Sequence, residues 1–131
     1  MRLTRLTISL STMYLLLANI TLAQEFDDSI WSGHWVGDGT IFEIRVEVEN
    51  GVMKVHQIES MGFTWNSKDG TVEGNIARVE VEYAGVIGII QAELVDSETA
   101  VAFAATCVPD FMVVCVLAKD RQAVFKKVLN D

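Results

Sequence analysis

The sequence predicts an all-β domain, an antiparallel up-and-down meander of about eight strands that closes into a small barrel. Three observations carry this. Phe42 to Glu49 alternates apolar and charged residues without a fault, as a strand with one buried and one wet face must. Asn50-Gly51 follows, two residues that tolerate positive φ and suit a two-residue hairpin turn. Further β-prone runs then recur about every dozen residues with turn residues between them. A meander with one apolar face closes most readily into a barrel, because closure removes both sticky edges. A two-sheet β-sandwich is the alternative.

Before the barrel the chain has an export signature. Arg2 and Arg5 give a positive start, Leu6 to Ala18 an apolar centre, and Thr21-Leu22-Ala23 the small residues that a signal peptidase reads. Thr7, Ser9, Ser11, Thr12 and Asn19 make this segment too polar for a comfortable membrane span. Residues 1–23 are therefore read as a signal peptide, 24–32 as a polar N-terminal segment and 33–131 as a single barrel domain, secreted or periplasmic, with no stable membrane insertion. The chain carries 10 basic and 18 acidic residues. Loss of Arg2 and Arg5 leaves eight basic against 18 acidic, a net charge of −10. That field repels phosphate backbones, which excludes ordinary nucleic-acid binding, and it repels anionic lipid surfaces too. It favours basic partners, or it serves solubility alone.

The first hairpin is the best determined. With Asn50-Gly51 as the turn into Val52 to Glu59, Glu47 falls opposite Lys54 on the wet face, and Val46 and Val48 fall opposite Val55 and Met53 on the dry one. Gly62 to Trp65 is a short run before a turn at Ser67 to Gly70. Val72 to Tyr83, Val86 to Val95, Thr99 to Cys107, Val113 to Ala118 and Gln122 to Val128 are the later strands. Alternation carried through these hairpins turns Gly88, Ile90, Ala92, Val101, Phe103, Ala105 and Cys107 inward. Ile87, Ile89, Ala100, Ala102, Ala104, Val114 and Val116 turn outward. An outer apolar face of this kind marks a partner surface, most simply a homodimer through strands 86–118, with Ile87, Ile89, Ala102, Val114 and Val116 as its interface. A covered sandwich face, or a bulge that shifts the register, would remove it.

Cys107 and Cys115 belong to a chain bound for an oxidising compartment and are expected to form a disulfide. A three-residue loop at Asp110-Phe111-Met112 places them opposite each other in a hairpin. The inward set mixes small residues with Phe42, Trp65, Tyr83 and Phe103. Small-against-large filling gives a dry core, the commoner outcome for so few residues; otherwise the small residues leave a slot for a modest apolar ligand.

Gly33-His34-Trp35 at the start of the barrel and Arg121 at its last turn resemble the calycin superfamily of lipocalin-like and avidin-like barrels. The resemblance covers these two ends and the meander pattern. It implies that Trp35 plugs one end with Arg121 stacked on its indole, and that a ligand binds in the barrel mouth. The chain is shorter than a typical lipocalin and lacks that family's C-terminal helix.

Catalytic ingredients are few. His34 and His56 are the two histidines, and the chain holds no phosphate loop, nucleophile elbow or metal-ligand spacing. No cofactor or metal is expected. Three readings follow. The first is an exported non-catalytic binding protein, with a small apolar ligand at Trp35, Trp65, Tyr83 and Phe103 or a partner chain on the outer face. The second is an acidic periplasmic inhibitor or immunity protein against a basic exported hydrolase. The third is a small barrel enzyme with His34 or Glu59 at the rim.

Overall fold

A computed structural model describes residues 27–129, so the segment 1–23 read as a signal peptide and the start of the polar segment lie outside the described residues. The strands are β1 (Gly33–Gly37), β2 (Glu43–Glu49), β3 (Val52–Glu59), β4 (Trp65–Ser67), β5 (Gly70–Glu73), β6 (Ile76–Tyr83), β7 (Val86–Asp96), β8 (Thr99–Val108) and β9 (Ala123–Lys127). All pairings are antiparallel. The order β6-β5-β3-β2-β1-β9-β8-β7 returns to β6 through a long β6–β7 ladder, which closes an eight-stranded barrel, and β4 is an extra strand on β6. The predicted all-β barrel is the observed fold.

The first hairpin forms in the predicted register, with Glu47 opposite Lys54, Val46 opposite Val55 and Val48 opposite Met53. Asn50 (φ 52°) and Gly51 (φ 75°) both occupy the left-handed region that a two-residue hairpin turn demands. Ala84-Gly85 makes the same kind of turn between β6 and β7.

Two expectations fail. Val113–Ala118 is a short helix, α1, not a strand. The alternation assumed for β8 is also reversed over its first half. The Ser97-Glu98 turn pairs Asp96 with Thr99, but the next pair is Leu94 with Ala100, so Val95 is an extra residue in the ladder. From there Ala100, Ala102 and Ala104 face Leu94, Ala92 and Ile90 and turn inward, the opposite of the expected outward set. A second shift, between Ile89 and Ile90, leaves Ala105 unpaired and restores the original phase, so Cys107 meets Gly88 as expected. The flat apolar sheet face inferred for a homodimer is therefore not formed: Ala102 is buried at 8% exposure, and Val114 and Val116 belong to the helix.

One end of the barrel, the floor, carries the Asn50-Gly51, Gly74-Asn75 and Ser97-Glu98 turns and a 3-10 turn at Asp28–Ile30. The core is concentrated there, around Trp31, Trp35, Val46, Met53, Val72, Val79 and Leu94. The other end, the mouth, carries Ala84-Gly85, the 60–64 loop, α1 and the start of β9.

Gly70 shows how tightly the wall is built near the β4–β5 break. A Cβ there would stand 2.5 Å from the Arg78 carbonyl oxygen and 2.6 Å from Val79 Cγ2. Backbone cannot yield as a flexible side-chain tip can, so Gly70→Ala is expected to lower the unfolding free energy by about 2 kcal/mol, measured by urea denaturation.

Candidate functional site: an apolar cavity in the barrel

The barrel is not filled. A cavity of about 500 Å³ runs from the floor aromatics to the mouth, and its lining is almost wholly apolar. Its volume follows from the wall: Ala77, Ala92, Ala100, Ala102 and Ala104 line β6, β7 and β8, where larger residues would fill the space. All four residues predicted as ligand contacts, Trp35, Trp65, Tyr83 and Phe103, border it.

The floor is a stack of two indoles and an ammonium. Trp31 and Trp35 have ring centroids 6.3 Å apart. Trp35 Nε1 donates to the Trp31 carbonyl at 2.8 Å, and Trp31 Nε1 donates to the Gly74 carbonyl at 3.1 Å. Lys127, directly opposite Trp35 across β1–β9, places Nζ 5.3 Å from the Trp35 ring centroid and donates to the Ile30 carbonyl. The cation on Trp35 is thus Lys127 and not Arg121. β9 begins at the mouth and runs down to the floor, so Arg121, just before it, is at the far end of the barrel and borders the cavity's opening. Trp31, assigned by sequence to a polar segment, is 3% exposed. The Ile30-Trp31 pair within that segment was the available signal.

Above the floor the lining is an aromatic girdle. Phe42 lies 6.2 Å from Trp65 and 6.2 Å edge-on from Phe125, and Phe63 meets Tyr83 edge-on at 5.7 Å. The third indole is also spoken for, since Trp65 Nε1 donates to Ser60 Oγ at 3.2 Å. No indole N–H is left to address a ligand, and the polar side chains of the lining, Tyr83, Arg121 and Gln122, belong to the mouth half. The deeper part of any occupant has no side chain to hydrogen-bond with.

The wall has one seam. β3 pairs with β5 only at Val52 and Met53, and β4 pairs with β6, so among the described residues no ladder joins the upper half of β3 to β4. Side chains bridge the interval: Gln57 Nε2 donates to the Trp65 carbonyl at 2.6 Å and Ser60 Oγ donates to Gln57 Oε1 at 3.0 Å.

Cys107 and Cys115 are bonded, with Cα atoms 5.4 Å apart, but the bridge ties the end of β8 to α1, not one strand to another. The histidines lie on the outer wall. His34 Nδ1 is 3.1 Å from Glu43 Oε1, and His56 Nε2 is 3.3 Å from Glu47 Oε2. Glu59, the rim carboxylate of the enzyme reading, is turned out: Ile58 is extra in the β2–β3 ladder, so Glu59 pairs with Glu43, and its carboxylate accepts from the Met61 N–H at 2.8 Å. Neither His34 nor Glu59 lines the cavity. Among the described residues no group of three or more His, Cys, Asp or Glu could hold a metal ion.

Two measurements probe this geometry. Burial pushes the Lys127 ammonium below its ordinary value of 10.5, with Glu98 acting weakly the other way. In the interval below 10.5 the unfolded chain then binds more protons than the folded one, so stability rises with pH until both forms are neutral. The unfolding free energy of the native protein minus that of Lys127→Met is expected to climb over that interval and to be flat below it. Gln57→Ala is expected to accelerate amide exchange in β4 by up to about tenfold while lowering global stability by no more than about 1 kcal/mol.

Compared with known proteins, the chain matches no family model, no curated protein and no solved structure.

Proposed function

We propose that this is an exported, non-catalytic binding protein that holds a small apolar ligand inside the barrel. The observation that carries the reading is the cavity. An apolar-lined volume of about 500 Å³ forgoes the packing contacts that a filled barrel of this size would make, a cost that folding alone does not repay. A chain with valines and leucines to spare has lined this space with alanines. The volume sits in the usual range for small-molecule sites, and the apolar walls with polar groups gathered at one opening match how such sites are built.

The chemistry of the wall narrows the ligand. Every indole N–H is satisfied within the protein, so the deeper part of the ligand is hydrocarbon-like or aromatic, with any polar group in the mouth half near Tyr83, Arg121 and Gln122. Export is supported by the signal-like N-terminus and by a disulfide of the kind that persists in oxidising compartments. Among the described residues no helix is long and apolar enough to cross a membrane. Net charge is what favours the second reading, an acidic partner of a basic exported hydrolase, and that reading leaves the cavity unexplained.

Titration of the mature chain with the neutral dye N-phenylnaphthylamine is expected to give saturable one-to-one binding with quenching of tryptophan emission. Ala102→Phe, which fills the cavity from within, is expected to weaken dye binding by at least about tenfold without loss of stability. Equal affinity in the native chain and the variant would overturn the reading.

A further inference from the structure

The mouth end of the barrel is apolar on the outside as well as within. From Phe111 to Ala118 the chain has no charged residue and no hydrogen-bonding side chain other than the bonded cysteine. Phe111 is 76% exposed, Val113 70%, Val116 60% and Leu117 58%. Met61 and Phe63 add exposed apolar surface from the 60–64 loop at the same end.

This exposure is imposed by the architecture. A helix turns about 100° per residue. With Cys115 buried and tied to Cys107, Val113 and Leu117 must point away from the barrel and Val116 to one side. α1 has six residues, three of them valine, and no side-chain cap, so it has little intrinsic stability of its own. The bridge holds it in place, and in that place its apolar face looks outward.

We propose that this end docks on a lipid bilayer, with Phe111, Val113, Val116 and Leu117 entering the interface, and that the cavity is loaded or emptied through the docked mouth. Three observations select that occupant. The patch adjoins the cavity opening, since Ala118 of α1 and Arg121 just beyond it border both, so a ligand with little solubility in water can pass between bilayer and barrel without crossing water. The 109–122 segment is itself neutral, Asp110 and Asp120 standing against Lys119 and Arg121, while the acidic groups of the same end, Asp38, Glu59 and Glu82, belong to other elements of the rim. An acidic body with a neutral apolar segment at one end suits a zwitterionic surface and is repelled by an anionic one. A second copy would need a flat self-complementary face, and the alanines that would have made one are turned inward.

The docking claim rests on the cavity reading for its purpose, but it is tested separately. The oxidised mature chain is floated with phosphatidylcholine vesicles, with and without added phosphatidylglycerol. The expected result is co-flotation with phosphatidylcholine vesicles that anionic lipid does not strengthen. The double variant Phe111→Ser/Val116→Ser is expected to float at least about tenfold less while binding N-phenylnaphthylamine in solution as the native chain does. Val95→Ser, at an exposed apolar position near the floor, is expected to float normally. Absence of flotation, equal flotation of the double variant, or loss of flotation in Val95→Ser would overturn the proposal. So would a native dimer by light scattering that the double variant dissociates, since a second copy would then occupy the patch. Flotation without dye binding would instead remove the cavity reading and leave the docking surface standing.

Discussion

The β7–β8 hairpin carries one residue more on β7 than its two-residue turn can pair, and the content of the barrel follows from that residue, Val95. Without it, Ala92 would face Phe103 and Leu94 would face Val101; Phe103 borders the cavity in either case, but the places opposite Ala92 and Leu94 would then hold a phenyl ring and an isopropyl group. With it, Ala102 and Ala100 take those places, and the second shift at Ala105 returns Cys107 to the inner side in time to reach Cys115. The difference between a solid β-barrel and a hollow one is here a matter of phase. Side chains alternate with period two, so a single added residue exchanges the two faces of everything up to the next addition.

A hollow barrel needs its stability from elsewhere, and the floor supplies it. The buried large residues are gathered there, with Trp31 and Trp35 joined by a hydrogen bond and Lys127 laid over the second ring. The lysine belongs in this arrangement by its stem as much as its charge: its methylenes pack at the floor while Nζ reaches a carbonyl, at the cost of partial desolvation that lowers its proton affinity. The mouth half is held differently, by a side-chain clasp where a ladder is missing and by a disulfide where a helix lacks a cap. The molecule is firm at the end that never opens and lightly tied at the end through which a ligand would pass.

Much of this was legible in the residues. Alternation from Phe42 to Glu49 and the Asn50-Gly51 turn specified the first hairpin down to its residue pairs, because each residue there has one role and the turn chemistry agrees with the pleat. The inward aromatics Phe42, Trp65 and Tyr83 were readable for the same reason, whereas the cysteine pair was readable only as two cysteines in a chain read as exported, since Cys115 sits on a helix and not on a strand. The bulges at Ile58, Val95 and Ala105 were not, since none is marked by a glycine and an added residue leaves the local composition unchanged. Val113–Ala118 misleads because its valines favour a strand, and six residues are too few to display helical period. The partner of Trp35 was misplaced for a topological reason: Arg121 and Lys127 are near in sequence, but a strand that runs the height of the barrel separates them.

The disulfide joins these threads. A bridge closing so short a loop contributes only about 2.5 kcal/mol through chain entropy, too little to explain a hollow barrel's survival. Its larger effect is positional. Cys115 would be a small buried hydrophobe in any case; bonded to Cys107 it fixes which way the helix faces, and so it holds four large apolar side chains in water beside an apolar opening. The tie leaves an exposed apolar rim and the opening of the cavity side by side at one end of the molecule.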